Sequence, residues 1–160
     1  MWLKGAKVYD SEKRAFAAGD LRIEEGRIAE IGRAPGRPAE AIDLEGRYLL
    51  PGFFDCHVHI GIDAMAPDPN NPWRDTLPGT IALHAAEMAR RLLLCGVTTA
   101  RDVGGWDYHE IAVREAIAAG KIPGARLFCA GRILTITSST TPYYRGMYEE
   151  ADGPMAVRAA

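Results

Sequence analysis

After Pro51-Gly52 the chain alternates between two hydrophobic rhythms, and that alternation restricts its fold more than any other feature. Residues 53 to 60, FFDCHVHI, form a short apolar run of strand length. Thr80 to Cys95 carries Ile81, Ala85, Met88, Leu92 and Cys95 at helical spacing, and Gly96 stops it. Residues 97 to 105, VTTARDVGG, read as a second strand ending in a glycine turn. A second helix is expected from about Tyr108 to Ala119, with Val113, Ala116 and Ile117 inward and Gly120 as C-cap. ARLFCAGRILTIT reads as a third strand and its exit. Strands alternating with helices predict right-handed βαβ units on a parallel sheet, an α/β fold. ADGPMAVRAA opens a further helix, with Asp152 as N-cap and Pro154 just inside. Three parallel strands whose last helix is only begun cannot cover both sheet faces, so these residues are expected to be the front part of a longer protein.

Residues 1 to 50 have a different texture. Leu21 and Ile23 precede Glu25-Gly26, and Ile28 and Ile31 follow it, which is a hairpin signal. Ile42 and Leu44 before Glu45-Gly46 repeat it, and GRAPGRP between them is a loop by composition. A small antiparallel β segment over 1–50 followed by an α/β segment over 51–160 is the expected organisation.

Composition excludes several functions. Hydrophobic residues make up 48% and charged residues 25%, the balance of a globular protein. A net charge of −2 with acids and bases interspersed lacks the basic footprint of a nucleic-acid binder. No apolar run approaches the roughly 18–20 residues of a membrane span, and MWLKGAKVYDSEKR has no apolar signal core. Cys56, Cys95 and Cys129 are odd in number and form no CxxC pair, which argues for reduced thiols and a cytoplasmic setting. Each is expected to serve as a small buried hydrophobe.

The chemistry-bearing stretch is LLPGFFDCHVHI, residues 49 to 60. Side chains alternate along a strand, so Asp55, His57 and His59 are expected on one face, with Phe54, Cys56, Val58 and Ile60 beneath helices on the other. Three such groups left desolvated and unpaired would cost several kcal/mol. A divalent cation offsets that cost, because neutral imidazoles at i and i+2 can reach one ion and a nearby carboxylate can orient them. An H-x-H pair alone is weak evidence. The aspartate two residues earlier, after Pro-Gly, makes it specific.

LPGFFDCHVHIG resembles the P-G-[FL]-[IF]-D-x-H-x-H signature of the amidohydrolase superfamily. GVTTARDVGG and GARLFCAGRILTIT are similar to strands 2 and 3 of its branch of imidazolonepropionase-like and Xaa-Pro dipeptidase-like enzymes. The resemblance covers about residues 19 to 137. It implies the first part of a (β/α)8 TIM barrel, about three βα units, preceded by a small β-sandwich segment. It implies His57 and His59 as metal ligands, Asp55 in a supporting role, and one or two divalent ions, most often Zn²⁺. The implied reaction is hydrolysis of a C–N bond in an amide, a cyclic amide or an Xaa-Pro-like dipeptide. Ester or organophosphate hydrolysis, or a non-catalytic scaffold, are the alternatives. The superfamily's other ligands, a Lys, two His and an Asp, come from strands 4, 5, 6 and 8. None of those strands is among these residues, so no general base is visible and the piece alone is expected to be inert. The branch also reads ITGGHG after strand 3, whereas this chain reads ITSSTTPYYRGMY.

Barrel active sites lie at the C-terminal ends of the strands, so loops after strands 1 and 3 are the places for substrate contacts. Trp73 and Arg74 in the 61 to 79 loop, and Tyr143, Tyr144 and Arg145 after strand 3, are the candidates for a small-molecule amide or dipeptide-like substrate. For Trp73 the competing reading is a loop packed by its own side chain. His84 and His109 fall on helices and are expected to be structural or solvated. Arg101 and Asp102 point to opposite faces at the end of strand 2. One could line the pocket, or they could form a rim ion pair or loop anchor. The open edge after strand 3 would favour self-association, so a homo-oligomer is compatible with this pattern.

Overall fold

A computed structural model describes residues 1–36, 38–63, 65, 73, 76–139, 141–144 and 146–160. Backbone contacts divide the chain into two units, Met1–Pro51 and Gly52–Ala160.

In the first unit β1 (Trp2–Asp10), β2 (Ala15–Glu24) and β3 (Arg27–Gly32) form an antiparallel meander. Positive φ at Glu25 and Gly26, 50° and 72°, makes the tight turn expected between β2 and β3. Glu45 and Gly46 also turn with positive φ, but the expected second hairpin does not form. β4 (Ala41–Asp43) and β5 (Tyr48–Leu49) both pair with β1 in parallel, Leu3 opposite Ile42 and Val8 opposite Leu49. Gly46 N–H donates to the Gly5 carbonyl at 2.7 Å, so the turn carries the chain onward along β1 instead of back along β4. The sheet is therefore mixed, where an antiparallel one was expected. Its buried apolar residues are Trp2, Ala6 and Leu21.

In the second unit β6 (Phe53–Val58), β7 (Val97–Asp102) and β8 (Arg126–Cys129) form a parallel sheet in that order. The connections are α1 (Pro78–Leu94) and α2 (His109–Ala118). This is the α/β alternation the sequence predicts. One cluster joins sheet to helices: Ile60, Ala100 and Leu127 from the strand side meet Ala85 and Ala89 of α1 and Val113 of α2. Small residues on α1 allow helix and sheet to approach closely, and Gly124 continues that approach. A β-carbon at Gly124 would lie 3.2 Å from that of Ala89 and press on Ile117. Gly124→Ala is accordingly expected to destabilise the unit by about 1–3 kcal/mol, read from urea denaturation midpoints.

The third strand forms as expected, and its exit holds an element that the sequence did not predict. It ends at Cys129, and Ile133–Thr135 forms a separate strand, β9, paired in parallel with β10 (Tyr148–Glu150). The break follows from Gly131 at φ 81°. Arg132 secures the excursion: its guanidinium donates to Asp107 at 2.9 Å and to Glu149 at 3.1 Å, and lies over the Tyr108 ring. Arg132→Ala should cost about 1 kcal/mol, measurable as faster amide exchange in β9 and β10. Asp152 precedes α3 (Gly153–Ala159) as expected, yet its carboxylate makes no cap and accepts from the backbone N–H and hydroxyl of Thr137.

The cysteine expectation needs correcting. Cys56 and Cys95 are exposed and Cys129 is half-buried. Cys129 donates to the Glu110 carbonyl, and burial, with the charges of Asp102 and Glu110, pushes its thiol up to about 12.

Candidate functional site

β6 carries the motif residues, and its pairing with β7 is irregular. Asp55 is registered with Ala100 and Val58 with Asp102, so three steps of β6 match two of β7. A compensating irregularity lies between Phe53 and Phe54, so the register is regained by Val58. Phe54 and Cys56 are exposed while Val58 and Ile60 pack against the helices. The expected apolar face from Phe54 to Ile60 is therefore only half realised. Asp55 Oδ1 accepts the backbone N–H of His57 at 3.0 Å, which pins the strand where it bulges.

His57 and His59 come together. Their ring centroids are 5.4 Å apart at 74°. Two nitrogens each about 2 Å from a tetrahedral cation put their ring centroids about 5 Å apart, so the separation of the pair is that of two ligands to one ion. His59 Nδ1 lies 2.8 Å from the Gly104 carbonyl oxygen. A carbonyl can only accept, so Nδ1 carries the proton and the lone pair stands on Nε2, the tautomer of a metal-ligating imidazole. His57 has no ring hydrogen bond among the described residues, leaving its donor atom free. Among the described residues no group of three His, Cys, Asp or Glu side chains converges as a metal site.

Asp102 is the least exposed side chain near this pair, at 0%. Its Oδ2 accepts Ile60 N–H at 2.8 Å and its Oδ1 accepts Gly104 N–H at 3.0 Å. Between the sequence alternatives, loop anchor is the geometry observed. Burial raises its pKa, and the two amide donors and nearby His59 oppose that rise. Arg101 lies on the other face, exposed, donating to the Cys56 carbonyl at 2.8 Å. Sequence reasoning missed Glu110. It is 1% exposed, and neither carboxylate oxygen meets a donor at hydrogen-bonding geometry among the described residues. Burial raises its pKa, partly opposed by its own backbone N–H, and the charge of Asp102 raises it further. The tight Gly104-Gly105 turn makes room for it, because a β-carbon at Gly105 would overlap the Glu110 carboxylate. Its place in the first turn of an otherwise amphipathic helix left no signal in the sequence.

The candidate substrate residues are dispersed. Trp73 donates its indole N–H to the Gly61 carbonyl at 2.7 Å and its ring meets His84 edge-on, so it packs its own loop. His84 Nε2 in turn lies 3.2 Å from the Ile62 carbonyl. Tyr144 meets Tyr148 edge-on beside buried Trp106 and Met147, whereas Tyr143 is exposed. Arg74 and Arg145 lie outside the described residues.

A model of the amidohydrolase family matches residues 48–159, most of the chain. The chain belongs to the amidohydrolase family. This amidohydrolase is 36% identical over 110 residues to adenine deaminase 2 of Carboxydothermus hydrogenoformans, a match covering 69% of this chain and 15% of that protein. It is 38% identical over 86 residues to a dihydroorotase of Trichlorobacter lovleyi, covering 52% and 19% of the two chains. Among solved structures it is similar to a prolidase complexed with N-methylphosphonate-L-proline, with a TM-score of 0.79 at 25% identity over 99% of this chain and 42% of that one. A Xaa-Pro dipeptidase with bound methionine gives a TM-score of 0.72 at 26% identity, over 96% and 38% of the chains. The structural neighbours thus lie in the prolidase-like branch that the sequence resembles, and the relatives are hydrolases of C–N bonds. The amidohydrolase chain spans less than half the length of these relatives.

Proposed function

We propose that this chain is the opening portion of a metal-dependent hydrolase that cleaves a C–N bond in a small molecule, an amide, a cyclic amide or an Xaa-Pro-like dipeptide. In this reading residues 51–160 are the first three βα units of a (β/α)8 barrel and residues 1–50 belong to an accompanying small β-sandwich. The observation that carries it is the His57–His59 pair: adjacent rings, with the His59 proton committed to Gly104 and the opposite nitrogen left to bind. When bound, a divalent cation, Zn²⁺ by preference for imidazole donors, lowers the pKa of water and polarises the scissile carbonyl.

The chain's own contribution is positional. His57 and His59 supply two donors at the end of the first strand, Asp55 holds the strand backbone at His57, and the Gly104 carbonyl sets the His59 tautomer. With two donors alone an ion is held weakly, so the remaining ligands and the general base belong to parts of the protein beyond these residues. Tyr143 and Tyr144, in the segment after the third strand, are assigned contacts to a dipeptide-like substrate, with Arg145 assigned one from the sequence alone. Trp73, bound back to Gly61, and Arg74, from the sequence alone, are assigned to substrate selection.

The test is metal content and turnover of the full-length protein purified without chelators. Stoichiometric zinc or a related divalent ion, together with hydrolysis of at least one member of a panel of N-acyl amino acids, cyclic amides and Xaa-Pro dipeptides, is expected. A metal-free protein, or one active only on aryl esters and phosphotriesters, sinks the reading.

A further inference from the structure

The buried Asp102 carboxylate lies at the centre of a closed circuit. One oxygen accepts the N–H of Ile60, the residue that follows His59. The other accepts the N–H of Gly104, the residue whose carbonyl meets His59 Nδ1. The backbone that carries the imidazole and the carbonyl that orients it are therefore tied to one side chain. The turn around it is held from outside as well. Val103 N–H donates to the Val58 carbonyl at 3.0 Å, Ala130 N–H donates to the Asp102 carbonyl at 2.9 Å, and Gly105 N–H donates to the Gly131 carbonyl at 3.2 Å. A β-carbon at Gly104 would overlap Ile133, so the turn has one place to sit.

We infer that Asp102 is a positioning residue for His59, locking its Nδ1–H tautomer and aiming Nε2 at the cation by fixing both Ile60 and Gly104. The inference deepens the proposed function and rests on it for the identity of what Nε2 meets. Asp102 touches neither cation nor substrate. It acts through two backbone amides and one carbonyl. A shorter side chain could not reach both amides, and a neutral isostere offers only one accepting oxygen, so its amide NH₂ would face an N–H.

The experiment uses ¹⁵N-labelled protein, metal-free, about two pH units above the ordinary imidazole pKa. Long-range ¹H–¹⁵N spectra read each imidazole tautomer. Wild type is expected to show His59 as Nδ1–H, and Asp102→Asn to populate the Nε2–H form at His59 while leaving His57 unchanged. Zinc affinity, titrated calorimetrically, should fall about 10- to 100-fold in Asp102→Asn. A folded variant with the wild-type His59 tautomer and wild-type zinc affinity overturns the inference. Should Asp102→Asn not fold, wild-type amide exchange decides: Ile60 and Gly104 are expected to be protected at least about tenfold more than the exposed Met65. Free exchange at either amide overturns the inference too. Tautomer locking that depends on Asp102 in a protein that binds no zinc would uphold the positioning role and remove the hydrolase reading, so the two failures are distinct.

Discussion

Replacing His57 and His59 together by alanine is expected to abolish stoichiometric metal binding while leaving the fold intact. A four-ligand zinc site is worth about 10–16 kcal/mol, so each imidazole carries about 3 kcal/mol and its loss weakens binding by a factor of about 100. The double replacement removes both donors that this chain supplies. Stability of the metal-free protein should change little, because His57 is exposed and contributes no described ring hydrogen bond, and His59 contributes one. Elemental analysis and thermal unfolding in chelator measure the two halves of the expectation. Retention of bound metal by the double variant would show that the ion sits elsewhere.

Glu110→Met is expected to stabilise the protein at neutral pH and to flatten part of its pH dependence. The carboxylate is buried with neither oxygen at hydrogen-bonding geometry to a donor among the described residues. Methionine is close in volume and needs no partner, so about 1–3 kcal/mol of desolvation cost is removed. The sign follows from linkage. Burial raises the folded-state pKa of Glu110 above its ordinary value of 4.5, so the folded state holds the proton more tightly than the unfolded chain. That contribution to stability is complete below the ordinary value and is lost as pH rises through the folded one. Urea denaturation across that range should show wild type losing stability with rising pH and Glu110→Met losing less. Asp102 is shifted the same way, so a residual slope is expected in the variant. A variant less stable than wild type at neutral pH would mean that the carboxylate has a partner worth more than its burial costs.

Legibility varied with the range of the interactions. The α1 and α2 helices, the three parallel strands and the Glu25-Gly26 turn follow from periodicity and turn residues within short windows, and all appear within a few residues of expectation. The Glu45-Gly46 hairpin failed because a turn fixes a change of direction and not a partner. β1 offered an unpaired edge, and β4 and β5 took it. The expected apolar face of β6 is covered only at Val58 and Ile60, because alternation names a face and not the element that covers it. Cys95 sat at a helical core spacing yet emerged exposed, because spacing cannot say where the neighbouring element ends.

The candidate site divides in the same way. Asp55, His57 and His59 lie two positions apart, with one residue between each pair, and their nearness is written into the chain. That local pattern also determined the family and the kind of chemistry to expect. The Asp102–Gly104–His59 circuit joins residues 42 to 45 apart in sequence, and the burial of Glu110 depends on the Gly105 turn folding over it. Which nitrogen of His59 carries its proton, and which carboxylate is buried, were decided by the tertiary structure alone. Hydrogen bonds and desolvation act across space, where order along the chain carries no information.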